Sequence, residues 1–404
     1  MLTYSVKPRG GVEHALAVTA ALHRRGHDVR LAALAPPGGT FFRAPAVPAH
    51  FVEHEPSEGP FDERILAMLD AYREGLRPLL AGGDFDVVHA EDCLSANAAL
   101  DLRDEGIIDH VVRTVHHVDD FTSPSLVDCQ DRSILAPDLI LCVSQPWTIQ
   151  LAAEFGVRAR LVRNGVDAGR FRPAQDGAER AADRAALGLG NRLAVLTVGG
   201  IEPRKGSLTL LEAFARLRAA VPERDPLLVV VGGATLFDYR NEIERFESRT
   251  QELGVAAHVR RVGTLSPAEL ERHYRAADLF AFPSEKEGFG LAALEALAAE
   301  LPVVASDLDV FRTFLADGRD ALLVPTGDAV ALGAALGRLA ADPALRAHLA
   351  AGGREVVATH GWDAAGAAHE EAYAAFAADR RVRAGHGTLT ADRPAEEERI
   401  AVER

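Results

Sequence analysis

Cysteine is scarce in this chain. Its 404 residues hold three, Cys93, Cys129 and Cys142. An odd number with no C-x-x-C spacing argues against a disulfide framework and a cysteine-based zinc centre, and fits a reducing, cytoplasmic setting. Long apolar runs are missing too. No stretch approaches the roughly 20 residues of a membrane span, and no secretory leader pattern precedes Tyr4. Peripheral membrane contact has no clear sequence signal. Positive charge is not in excess either. The formal charge of −15 argues against nucleic acid as the main partner, while leaving room for a local basic pocket around one phosphorylated ligand. No G-x-G-x-x-G follows a strand, which speaks against an NAD dehydrogenase. No G-x-x-x-x-G-K-[ST] marks a Walker loop.

What is present is an ordinary globular composition, 48% hydrophobic and 25% charged, long enough for two or three domains. Strand and helix signals alternate throughout. "LTYSVKPRGGVEHALAVTAALHRRGHDVRLAALAPP" reads as a short strand, a Gly-rich turn, an amphipathic helix and a strand from Val29 to Leu34. "FDVVHAED", "VVRTVHHVDD" and "PDLILCVS" continue the series. After a polar, Ala-rich shift at Ala174–Asn191 a second series runs through "LAVLTVGG", "DPLLVVVGG", "AHVRRVG", "ADLFAFPS", "LPVVASD" and "ALLVPTGD". Its nearly continuous Val/Leu/Phe runs predict strands covered by helices on both faces. The expected architecture is α/β: two doubly wound, Rossmann-like domains. Residues 1–168 form the first domain, 169–191 a linker, 192–358 the second domain, 359–378 a helix returning to the first domain, and 379–404 a disordered tail. Only Met1 to Ser5 precede the first glycine turn, fewer residues than the usual central strand and turn require.

In open α/β sheets ligands bind beyond the carboxyl ends of the strands. Five clusters lie there. In "KPRGGVEHA", Gly10 and Gly11 before a helix allow close backbone approach to an anion, or simply make a turn. In "TVHHVDD", His116 and His117 are neighbours on an extended segment and point opposite ways, so a shared metal ion is disfavoured. One imidazole facing a cleft and a solvated loop with a capping Asp119 or Asp120 are the two readings. "VGGIEPRKGS" brings Arg204 and Lys205 to a helix start after Gly199-Gly200, a compact phosphate site. "HVRRVGTLS" could present backbone groups to a flat ring, but on its own reads better as a plain turn. "EKEGFGLAALEA" is a flexible loop and a helix starting near Gly290, with Glu287 before it and Glu295 in its second turn. The rise per residue separates the two carboxylates by on the order of 8–12 Å. That is too far for a paired glycosidase acid and base, and suits the two ends of an elongated polar ligand. Glu295 on an apolar helix needs hydrogen-bond donors, either ligand hydroxyls or an internal arginine.

Taken together, "PSEKEGFGLAALEALA" with its E-x7-E pattern through Glu287 and Glu295, "LPVVASD", "VGGIEPRKG", "RNGVD" and "PRGGVEHALAVTAAL" with "RGHDV" resemble the family-4 retaining glycosyltransferases of the GT-B fold, over residues 4 to 378 and in order. "TVHHVDDF" and "GGIEPRKG" are similar to an uncharacterised subfamily found in mycobacteria and related bacteria.

The resemblance implies two domains facing a cleft, with a nucleoside-diphosphate-sugar donor held mainly by the second and an unknown acceptor by the first. It implies that Arg204 and Lys205 hold the diphosphate, Glu295 the ribose hydroxyls and Glu287 the transferred sugar. The backbone of Gly288, Phe289, Gly290 and Leu291 would approach phosphate and sugar. Gly10 and Gly11 would face the diphosphate from the other domain, His116 rather than His117 the reacting sugar, and Val262 with Gly263 the base. His116 and Glu287 are the expected catalytic residues. Neither a cofactor nor a metal is implied, the nucleotide sugar being a substrate. Two departures stand out: Gly200 replaces an arginine frequent in relatives, and Glu300-Leu301 replaces small residues. An epimerase-type enzyme of the same fold and a catalytically silent sugar-nucleotide-binding protein are the alternatives. A pyridoxal-phosphate phosphorylase would be far longer and needs a cofactor lysine in the second half, where Lys205 and Lys286 are the only lysines.

Overall fold

A computed structural model of the chain describes residues 1–55, 58–233 and 239–386. The first series of strands is β1 (Leu2–Thr3), β2 (Leu31–Ala35), β3 (Ala49–Glu53), β4 (His89–Ala90), β5 (Val112–Val115), β6 (Leu139–Cys142) and β7 (Arg160–Leu161). They form one seven-stranded sheet in the order β3-β2-β1-β4-β5-β6-β7, with every neighbouring pair parallel. The second series is β8 (Ala194–Val198), β9 (Leu227–Val231), β10 (Val259–Gly263), β11 (Leu279–Phe282), β12 (Val303–Ser306) and β13 (Leu322–Val324). It makes a six-stranded sheet, β10-β9-β8-β11-β12-β13, again all parallel. Both orders reverse direction beside the first strand of the series, the doubly wound pattern.

The strands carry the burial that their composition dictates. All five residues of β9, Leu-Leu-Val-Val-Val, are buried, with Leu228 and Val230 on one core and Leu227, Val229 and Val231 on the other. β1 is short, as expected, yet it sits near the middle of its sheet, Leu2 aligned with Ala32 on one side and Ala90 on the other.

Two expectations need correction. The 169–191 stretch is not a bare linker. It folds as the helix Gly177–Ala186, and Phe171 and Leu189 join the core of the second domain. Its polar residues are used for attachment: Asp183 pairs with Arg275 at 2.8 Å and Arg272 at 3.1 Å. Arg180 and Arg184 donate to carbonyls at the carboxyl end of the helix Pro267–Ala276. Those carbonyls lack intrahelical partners and favour cations. The other correction is at the end of the chain. The last helix, Trp362–His386, continues past 378, where disorder was expected, because Arg380 meets His110 and the Phe376 ring. The rest of that tail, 387–404, lies outside the described residues. The same helix packs on Gly10–Arg24, Trp362 and Ala365 against Ala17, Val18 and Leu22.

Candidate active site

The carboxyl ends of both sheets open onto one cavity of about 730 Å³. On the second-domain side β8 ends in Gly199-Gly200, with φ of 147° and 79°. These values favour glycine. A β-carbon on Gly199 would stand 3.0 Å from Lys205 Cε, so the glycine is what lets the lysine stem lie across the loop. A short turn, Pro203–Lys205, precedes the helix Ser207–Ala220.

Lys205 Nζ reaches Glu287 Oε1 at 2.5 Å, and Ser284 Oγ donates to the same oxygen at 2.8 Å. Arg204 pairs with Glu202 at 2.9 Å and stands 3.6 Å from Glu287. Burial pushes the Glu287 carboxyl up, but Lys205, Arg204 and the two hydrogen bonds outweigh it and hold the group below its ordinary value. Burial pulls the Lys205 ammonium down, aided by Arg204, and Glu287 only partly restores it. The two groups therefore satisfy each other as a buried ion pair.

The helix Leu291–Ala298 starts after Gly290. The Phe289 ring turns away from the cleft and stacks on Phe314, centroids 5.0 Å apart, which leaves backbone at the helix N-terminus on the cavity wall. Glu295 faces the same cavity one turn on, and its partner is a phenol: Tyr274 Oη donates to Oε2 at 2.7 Å. Burial raises the Glu295 carboxyl to about 8, with Tyr274 and Arg170 opposing and Glu13 adding to the rise. Near neutral pH it is largely protonated.

On the first-domain side a buried carboxylate organises the histidines. Glu91 Oε2 lies 2.8 Å from both His14 Nδ1 and His116 Nε2. Burial pushes Glu91 up, but the surrounding imidazoles more than offset it, and the carboxyl is held well below its ordinary value. Burial, with His14 and Arg113, lowers His116 to about 4 against the pull of Glu91. A neutral His116 thus donates its Nε2–H to Glu91, which fixes the tautomer. His14, Glu91 and His116 also form the one metal-capable group among the described residues, their ligand atoms within 4.8 Å of one another. Those atoms are already joined by hydrogen bonds.

The loop before Gly290, expected to be flexible, is held from both domains. Trp147 Nε1 donates to the Glu287 carbonyl at 2.8 Å, Lys286 pairs with Asp120 at 2.8 Å, and Glu285 N–H donates to the Arg204 carbonyl at 2.7 Å. A β-carbon on Gly288 would fall 2.1 Å from the His116 carbonyl oxygen. Arg170 links Glu13 and Glu271 at 3.0 Å each.

Residues 8–170 match the Glycosyltransferase Family 4 model and residues 179–356 the model for glycosyl transferases group 1. D-inositol 3-phosphate glycosyltransferase of Streptomyces bingchenggensis is 32% identical, over 85% of this chain and 79% of its own length. The protein of that name from Streptomyces avermitilis is 33% identical, over 85% and 78%. The chain belongs to the family-4 glycosyltransferases. Sucrose-phosphate synthase of Thermosynechococcus elongatus shares the fold, with a TM-score of 0.78 at 24% identity over 95% of this chain and 98% of that one. So does Anabaena HepE, solved with UDP and glucose, with a TM-score of 0.71 at 16% identity over 96% and 98%.

Within this glycosyltransferase most of the expected residues meet at the cavity: Gly10, Gly11, His116, Arg204, Lys205, Glu287, Gly288, Phe289, Gly290, Leu291 and Glu295 all line it. His117 lines it too, but turns to Asp119 at 3.2 Å. Val262 and Gly263 are not in the lining. The Gly263 carbonyl accepts from Gly232 N–H at 2.9 Å, which extends the ladder and moves the exposed edge on to Thr264 and Leu265. Glu295 has the phenol Tyr274, not an arginine, as its hydrogen-bond partner.

Sequence reasoning missed His14, Glu91, Trp147, Arg170 and Tyr274. His14 lies three residues after Gly11 and Glu91 just beyond β4 in "VVHAED", so strand-end position was a usable signal for Glu91. Tyr274 and Arg170 carried none.

Proposed function

We propose that this glycosyltransferase moves a sugar, with retention of anomeric configuration and without a metal, from a nucleoside-diphosphate sugar to an acceptor hydroxyl. The observation that carries this reading is the Lys205–Glu287 pair, 2.5 Å apart, set against a helix N-terminus with Glu295 one turn further on. A diphosphate entering here takes Lys205 and Arg204 from their carboxylates and meets unpaired backbone N–H groups. Its charge grows as the sugar leaves, and the two cations and the helix dipole stabilise it most at that point. Glu287, released from Lys205, turns its acceptor oxygens to sugar hydroxyls. Glu295 receives the ribose hydroxyls, and the Thr264–Leu265 edge faces the base. The acceptor enters from the first domain beside His116. Front-face attack, with a phosphate oxygen taking the acceptor proton, needs no side-chain nucleophile, and the neutral His116 pinned to Glu91 fits a positioning role.

The test is a thermal-shift screen with UDP-, GDP- and ADP-sugars on the full chain, since a ligand that binds only the folded state raises Tm. One of them should stabilise the protein, and its hydrolysis or transfer should survive EDTA and disappear in Glu287→Ala. A panel in which no sugar nucleotide stabilises the wild type would falsify the reading.

A further inference from the structure

The first-domain branch of the cleft holds a cation that the donor chemistry does not use. Arg113 is the second residue of β5, 6% exposed, and lines the cavity. Its Nε and Nη1 have no hydrogen-bond partner. The nearby carboxylates are committed elsewhere. Asp92 accepts from Tyr4 N–H at 2.8 Å and Ser95 N–H at 2.7 Å, capping the helix Cys93–Asp104, and Glu91 is taken by His14 and His116. Burial pulls the Arg113 pKa down, with Asp92 and Glu91 opposing, yet a guanidinium stays charged inside proteins. Phe61, Ile65, Leu126 and Ile134 contribute the apolar side of the same branch. A buried guanidinium with unsatisfied N–H groups is costly to maintain unless something else completes it. It differs in this from Arg204, which already has Glu202 and Glu287 within reach.

We propose that Arg113 is an oxyanion site in the acceptor half of the cleft, and that the acceptor of this glycosyltransferase carries a phosphoryl or carboxylate group beside the hydroxyl that receives the sugar. The planar fork of arginine suits both groups. The apolar walls exclude water, which strengthens the contact and leaves a neutral polyol without a match for the charge. This inference rests on the glycosyltransferase reading for the word acceptor, but the anion site stands on Arg113 itself.

The experiment uses the full chain at constant ionic strength and measures Tm against inorganic phosphate and, separately, acetate. Phosphate also suits the Arg204–Lys205 clamp, so the titrations are run in Lys205→Ala and in Lys205→Ala/Arg113→Gln. The expected result is a rise in Tm in the single variant that is lost in the double variant. A rise with phosphate alone identifies a phosphoryl acceptor, and one with acetate alone a carboxylate. Arg113→Lys, which keeps the charge and a core-sized stem, should retain part of the rise and guards against misfolding of the glutamine variant. Anion stabilisation that is the same with and without Arg113, or absent in Lys205→Ala altogether, overturns the proposal. The sugar-nucleotide screen on the wild type fails or succeeds independently, so the donor reading and the anion site are judged separately.

Discussion

Trp147 of the first domain donates its indole N–H to the backbone carbonyl of Glu287 in the second, at 2.8 Å. This bond ties the closed cleft to the backbone of the residue whose side chain holds Lys205. Trp147→Phe removes the indole N–H together with part of a buried ring, a loss of at least the roughly 1 kcal/mol of the bond, or about fivefold in the closed-to-open ratio. Small-angle scattering should show a larger mean radius and kinetics a raised KM for the sugar nucleotide. An unchanged radius and KM would show that closure does not depend on this contact.

Lys205→Ala removes a buried cation and leaves Glu287 with Ser284 and the more distant Arg204. Binding of the nucleoside diphosphate should weaken by about 1.5–3 kcal/mol, tenfold to roughly 150-fold in Kd, the range for a hydrogen bond to a charged group. Acceptor binding should change far less. Calorimetry that finds equal losses for both ligands contradicts the placement of the diphosphate.

If Glu295, raised to about 8, receives the ribose hydroxyls as proposed, sugar-nucleotide binding should depend on pH. Ribose hydroxyls donate best to an ionised carboxylate, so binding expels the proton. Affinity should climb as pH rises toward 8 and level off above it. Calorimetry near pH 7 in buffers of different ionisation enthalpy should register proton release, and Glu295→Gln should abolish it. Stability follows the opposite course. Because the folded pKa lies above the unfolded one, the carboxyl costs nothing below about pH 4 and destabilises the fold as pH rises through 8. Relative to the wild type, Glu295→Gln should therefore melt at a higher temperature at pH 9 than it does at pH 5.

His116 and His369 are both lowered to about 4, chiefly by burial. A histidine of unfolded pKa near 6.5 that is depressed in the fold supports stability above that value and loses it as pH falls toward 4. Thermal melts from pH 7 to pH 4 should fall less steeply in His369→Leu than in the wild type. Parallel curves would mean that this imidazole does not report the burial.

Most strands were legible because each is a short apolar run closed by glycine or a polar cluster, whereas β3, Ala-His-Phe-Val-Glu, and β7, only Arg160–Leu161, were not; the cleft was legible because ligands of an α/β sheet bind at its strand-end loops. The Glu287–Lys205 pair was half visible: both residues stood out, but not that each would hold the other. Two things were hidden. Polar, Ala-rich sequence around Asp183 looked like a spacer because its helix is fastened by ion pairs and its apolar face is all alanine, too small to mark a core. The carboxylate at Glu91 and the phenol at Tyr274 act through contacts 77 and 21 residues away along the chain, and no local pattern encodes a partner at that separation.

The chain crosses between the domains twice, and the two crossings lie side by side. Val166 N–H donates to the His360 carbonyl at 2.8 Å, Val166 and Gly361 form a parallel bridge, and a β-carbon on Gly165 would stand 2.5 Å from Trp362 N. Two backbones paired in this way would bend more readily about the line across them than twist along it, so an opening of the cleft is expected to follow a single arc, like a door on a two-leaf hinge, that returns Gly288 to the same carbonyl of His116.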